Sequence, residues 1–158
     1  MKLYHGTNMD FDVIDLNKSQ RGKDFGRGFY LSEDVEQAHK LAVFKSLQFG
    51  GEPIVLTYDF KESLLVEGEL NFLYFNEYSA KWAEFILMNR QNKSDFNKHP
   101  YDVVYGPIAN DKVGVQIRLL LEHNISPEIF LERLKYMKGI TFQYFFGTEL
   151  AIEHLVKV

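Results

Sequence analysis

No cysteine occurs in this chain, which removes disulfides, thiolate metal sites and a cysteine nucleophile together. Prolines number four, and no Pro/Gly/Ser-rich stretch marks a linker or a domain boundary. No internal repeat and no low-complexity tract appears. No apolar run approaches the length of a membrane span. The opening "MKLYHGT" reaches a polar histidine at His5, which leaves no room for the apolar centre of a secretory signal. A cytoplasmic location without membrane attachment is expected. The Walker phosphate-binding loop, the GxGxxG fingerprint, HExxH and the calcium loop are all missing. The five histidines are scattered, so no metal is expected.

What is present suits one domain over residues 1–158. Of these residues 46% are hydrophobic and 15% aromatic, enough for a substantial core. The net charge of −4 argues against a surface given over to nucleic acid or anionic lipid. One local exception is a basic run, Lys18, Arg21, Lys23 and Arg27, diluted by Asp24.

Alternation and β-rich composition predict strands at "KLYHGT" (2–7), "GFYLS" (28–32), "PIVLTYDF" (53–60), "SLLVEGEL" (63–70), "YDVVYGPI" (101–108) and "ITFQYFF" (140–146). In the last of these, Phe142 and Tyr144 share one face and Thr141, Gln143 and Phe145 the other. Ser32 is placed to cap a helix over 33–49, with Glu33 and Asp34 in its first turn and Val35, Ala38, Leu41 and Ala42 as its buried stripe. Ser79 caps a helix that buries Trp82, Phe85 and Ile86. A helix over 113–123 follows. Ser126 and Pro127 open another with Ile129, Phe130, Leu134 and Met137 inward and Gly139 as its stop, and Thr148 caps a closing helix. Strands and helices do not alternate steadily, so the expected class is α+β.

Three separated pieces, "YHGT", "FGRGFYLS" and "TFQYFFGTELA", together resemble the ADP-ribosyltransferase superfamily. The likeness is to its branch with a His-Tyr-Glu triad, and the pieces occur in the same order over nearly the whole chain. "KDFGRGFYLSEDVEQAHKLA" and "YDVVYGPIAND" are similar to a bacterial and phage subgroup known as a domain of unknown function with an ADP-ribosyltransferase-like fold, in which the third position is commonly glutamine.

The resemblance implies a split pair of sheets with flanking helices and NAD held between them. His5 would bond a ribose hydroxyl. The backbone of Gly6 would pair with the nicotinamide carboxamide, helped by the Thr7 hydroxyl. Tyr30 would stack on the nicotinamide ring. Gly26 and Gly28 would let the backbone approach the dinucleotide, Phe29 and Tyr30 pointing to opposite faces, with Arg27 the nearest cation for the pyrophosphate. Gln143 stands where the superfamily carries glutamate. A neutral amide orients a hydroxyl but is no base, and Phe145 stands where arginine-specific relatives carry another glutamate. Transfer of a single ADP-ribose to a macromolecular acceptor, protein or nucleic acid, is therefore expected, without metal. The expected setting is a toxin or phage-defence effector checked by an antitoxin or inhibitor protein. An inactive NAD- or ADP-ribose-binding module, an NAD glycohydrolase and an RNA 2′-phosphotransferase are the alternatives. Each feature also has an ordinary structural reading: a glycine pair before aromatics marks a tight turn, loop cations are solvated, Asp24 closes a turn, Asp111 sits in a turn, and Glu149 suits a first helical turn.

Overall fold

The computed structural model describes all residues, 1–158, and is mixed α+β, as expected. In chain order it holds β1 (Lys2–Thr7), a short 3-10 turn (Leu16–Lys18), β2 (Phe29–Leu31), α1 (Val35–Phe49), β3 (Ile54–Asp59), α2 (Ser63–Val66) and β4 (Phe72–Tyr74). Then follow α3 (Ala80–Gln91), β5 (Val103–Pro107), α4 (Asp111–Leu121), α5 (Pro127–Leu134), β6 (Phe142–Phe146), α6 (Glu149–Ile152) and β7 (Val156–Lys157).

Two sheets result. One has the order β1-β3-β7 and the other β2-β6-β5-β4, all neighbours antiparallel except the parallel pair β4 and β5. They meet where Tyr4 and Ser32 exchange two backbone hydrogen bonds of 2.8 Å. Strand alternation then divides the apolar side chains between two cores. Leu3, Phe29, Leu31, Leu56, Tyr58, Val103, Tyr144 and Phe146 fill the space between the sheets. The opposite face of the second sheet carries Val104 and Phe145, which pack with Phe25 onto Trp82, Ile86, Val113, Ile117 and Phe130 of the helices.

Several helix ends follow the sequence closely. Ser79 accepts from the Trp82 amide, Ser126 from Ile129 and Thr148 from Ala151, so a side-chain oxygen satisfies an amide that the helix itself leaves free. Elsewhere the structure departs from expectation. Residues 63–70 form the one-turn helix α2 (Ser63–Val66) and a turn rather than a strand, because Leu64 and Leu65 are adjacent rather than alternating and Gly68 turns the chain with φ of 80°. Asp34, not Ser32, caps α1 and accepts from the Glu36 amide. Ser32 is held extended by its bridge to Tyr4, and its hydroxyl receives the Asp34 amide instead. Asp111 opens α4, capped by Asn110. Ile129 is 47% exposed, and α5 ends at Leu134.

The packing of α1 on β1 sets the geometry of the candidate site. Only Ala38 and Ala42 are buried along this helix, whereas Val35 and Leu41 are each 44% exposed. Gly6 explains the choice. A Cβ built on Gly6 would lie 2.1 Å from the Ala38 carbonyl oxygen and 2.9 Å from the Ala42 amide nitrogen, so helix and strand touch backbone to backbone. Contact that close excludes larger apolar residues from the seam and leaves Leu41, Lys45 and Phe49, one turn apart, along its margin.

Candidate functional site

That margin is one wall of a cleft of about 850 Å³, within the size range of small-molecule sites. His5 of β1, Tyr30 of β2 and Gln143 of β6 all line it, together with Thr7, Gly28, Lys18, Lys23, Leu41, Lys45, Phe49 and Arg90. A second hollow of about 540 Å³ beside α3 and α4 has His123 as its only titratable side chain, so the chemistry-bearing groups concentrate in the first.

His5 is fixed on three sides. Its ring stacks on Phe29 with centroids 4.3 Å apart, Phe11 meets it edge-on at 5.9 Å, and Nδ1 lies 2.8 Å from the Tyr30 carbonyl oxygen. A carbonyl only accepts, so the proton sits on Nδ1 and Nε2 carries a bare lone pair. Burial, the Lys45 charge and, more weakly, the Lys23 charge pull the imidazole pKa down to about 4, against the Tyr30 carbonyl, which raises it. His5 is thus a neutral acceptor at physiological pH.

Tyr30 is anchored at its hydroxyl, which donates to the Gly26 carbonyl at 2.6 Å and accepts from the Phe25 amide at 3.1 Å. Burial drives its phenol pKa well up. Phe25 lies parallel to the ring at 6.2 Å and Phe145 edge-on at 5.3 Å, and the Lys23 ammonium stands 5.1 Å from the ring centroid. Phe29 points the other way, into the core between the sheets, as expected. Gln143 lies on the Tyr30 face of β6, and its amide bonds to nothing in the protein. The three candidate catalytic residues therefore share one cleft.

The other candidates are used by the fold. Gly6 lies outside the cleft lining, and its carbonyl accepts from the Lys45 ammonium at 2.8 Å; its missing side chain makes room for α1. Thr7 is buried, and its hydroxyl both donates to the Met9 carbonyl and receives the Met9 amide, closing a local turn. A Cβ on Gly28 would lie 2.2 Å from the Phe145 ring, and one on Gly26, where φ is 100°, would lie 2.4 Å from Asn97 Oδ1. Both glycines are required by the protein's own packing, and Gly28, unlike Gly26, also lines the cleft. Arg27 lies apart from the other candidates. Three of its five N–H groups donate to the carbonyls of Asn17, Ser19 and Asp95, clamping two loops together, and its side chain is not part of the cleft lining. Arg21 is likewise paired with Asp95 at 2.7 Å.

Among the weaker candidates, Asp24 is an organising residue. It pairs with Arg90 at 2.7 Å and accepts from the Ala109 amide at 3.2 Å. Asp111 and Glu149 are exposed first-turn carboxylates outside the cleft. Besides Arg90, which Asp24 neutralises, the cations lining the cavity are Lys18 and Lys23 from the basic run and Lys45 from α1. Lys45 is the residue that sequence reasoning missed. Its signal is the i, i+4, i+8 row Leu41, Lys45 and Phe49, which lies beside the buried pair Ala38 and Ala42 rather than within it.

The family model described as Protein of unknown function (DUF3990) matches residues 1–156. The chain belongs to this family. No curated protein and no solved structure matches it. No helix of this DUF3990 protein is long and apolar enough to cross a membrane.

Proposed function

We propose that this chain binds NAD in the cleft and breaks its nicotinamide–ribose bond, transferring a single ADP-ribose to a macromolecular acceptor. The observation that carries the reading is the convergence of His5, Tyr30 and Gln143, from three strands far apart in sequence, on one cavity. It is supported by the resemblance of the same three segments to the ADP-ribosyltransferase superfamily.

In this reading the nicotinamide ring takes the place of the Lys23 ammonium over Tyr30, whose anchored hydroxyl holds the ring plane still. The bare Nε2 of His5 accepts one ribose hydroxyl and the Gln143 amide oxygen another. The C1′–N bond breaks heterolytically, its electron pair leaves on nicotinamide, and the ribosyl cation is captured by the acceptor, which loses a proton. Neither His5, with its pKa near 4, nor Gln143 is an effective base. The acceptor must therefore be a good nucleophile or bring its own base.

One observation favours a second reading. The cleft's two carboxylates, Asp15 and Asp24, are committed to the cap of the 3-10 turn and to Arg90, so no free anion faces the developing cation. A module that binds NAD without turnover fits that fact. Chromatographic assay of nicotinamide release from NAD separates the two, since transfer and hydrolysis both release it and binding alone does not. Mass spectrometry of a lysate treated with protein and labelled NAD then identifies the acceptor; growth upon expression, with His5→Ala as control, tests the toxin role.

A further inference from the structure

We propose that Lys23 and Lys45 form a subsite for the diphosphate of a nucleotide, and that Lys23 leaves the Tyr30 ring when this subsite fills. The nucleotide's identity rests on the NAD reading above; the preference for an anion rests on the two lysines alone.

The charges lining the cleft are Asp15, Lys18, Lys23, Asp24, Lys45 and Arg90. Arg90 is neutralised by Asp24 at 2.7 Å. Asp15 and Lys18 sit at the two ends of one 3-10 turn. Lys23 and Lys45 are the two whose charges reach each other, and neither has a carboxylate within salt-bridge distance. Lys45 is held in place by one bond, to the Gly6 carbonyl at 2.8 Å, which leaves two of its three N–H groups for a ligand. Lys23 has only the face of Tyr30, 5.1 Å away, a weak substitute for an anion. Each amine is partly desolvated, and the Lys23 charge reaches Lys45, so both have pKa values below the usual lysine range. Two like charges turned into one cavity repel, and an anion between them reverses the sign of that interaction. Ammonium groups impose no planar geometry, which suits the several oxygens of a diphosphate.

Lys23 is the shared element. Phe25 already lies parallel to the Tyr30 ring, and Lys23 stands over the ring from the cleft, so a planar ring stacking there competes with Lys23 and gains room once Lys23 is drawn to phosphate. Diphosphate binding and ring stacking should therefore favour each other.

The test uses the full chain and calorimetric titration with inorganic pyrophosphate, ADP-ribose and nicotinamide riboside, the last lacking phosphate. Lys23→Met and Lys45→Met keep the apolar stems, and Lys45→Arg retains the charge. Thermal melts confirm that each is folded. The expected result is pyrophosphate and ADP-ribose binding by the wild type, weakened about tenfold in each Met variant and largely retained in Lys45→Arg. Nicotinamide riboside should bind Lys23→Met at least as tightly as wild type, and pyrophosphate should tighten its binding to wild type but not to Lys23→Met. A folded Lys23→Met/Lys45→Met double variant that holds ADP-ribose as tightly as wild type would overturn the subsite, as would a wild type blind to pyrophosphate. If pyrophosphate binds as described and NAD releases no nicotinamide, transfer fails and the subsite stands.

Discussion

His5 Nδ1 lies 2.8 Å from the backbone carbonyl oxygen of Tyr30, and this bond joins two residues of the candidate site, one from each sheet, near the Tyr4–Ser32 seam. It decides the tautomer, turns the Nε2 lone pair outward, and makes the state of the site depend on keeping His5 neutral.

The first prediction is a pH dependence of stability. The folded pKa of His5 is lowered from 6.5 to about 4, first by burial and then by Lys45. The unfolded chain therefore binds more protons between these values, and stability falls as pH drops from about 6.5 toward 4, with no further contribution from this group below that. The full effect is about 3 kcal/mol. His5→Asn keeps a donor for the Tyr30 carbonyl but does not titrate. Urea unfolding at pH 7 and pH 4.5 should show a smaller loss for the variant than for wild type; equal losses would mean that His5 charges without cost.

The second concerns Tyr30. Its ring packs against Phe25 and Phe145, so truncation to alanine would damage the fold as well as the site. Tyr30→Phe keeps the ring and orphans the Gly26 carbonyl and the Phe25 amide, at about 1–3 kcal/mol. A reduced melting temperature with NAD affinity changed only modestly is the expected pairing. Loss of affinity with no loss of stability would show instead that the hydroxyl, not the ring, meets the ligand.

The third is Gly6→Ala. The added methyl meets the backbone of α1 at Ala38 and Ala42, atoms that cannot rotate away, so the helix must shift outward. A cost of about 1–3 kcal/mol, the usual range for overpacking, should appear in thermal melts, and amide exchange in α1 should rise. Should the variant melt like wild type while NAD binding is abolished, Gly6 would belong to the ligand after all.

Legibility followed the range of the interaction that decides each element. Caps at Ser79, Ser126 and Thr148, and the two faces of β6, rest on contacts within a few residues and were readable. The grouping of His5, Tyr30 and Gln143 came from the resemblance of their three segments rather than from any local pattern, and the fold places all three along one cleft. The short strands β4 and β7 exist through pairing with β5 and β3 and leave little local pattern. Arg27 and Lys45 exchanged roles for the same reason. Whether a cation faces a cavity or a loop depends on partners 68 residues away at Asp95, or 39 away at Gly6; the row Leu41, Lys45 and Phe49 shows which residues share a helix face but not what that face meets.

The last prediction rests on Gln143, the residue at the position that is glutamate in the superfamily this chain resembles. Its amide has no partner in the protein, and its neighbour across the ladder is Gly106, so Gln143→Ala removes no structural bond. Stability should change by no more than about 0.5 kcal/mol. If the amide orients a ribose hydroxyl in the transition state, turnover should fall by the equivalent of about 1–3 kcal/mol, roughly tenfold to a hundredfold. NAD affinity should move much less, because His5, Tyr30 and the lysines still hold the ligand. Gln143→Glu places a carboxylate where the cleft otherwise has no free anion to face the ribosyl cation, so nicotinamide release should survive or rise. Full activity in both variants would make Gln143 a bystander. An active wild type silenced by Gln143→Glu would show that the amide donates through its NH2 group, because glutamate keeps the acceptor oxygens and loses only that donor.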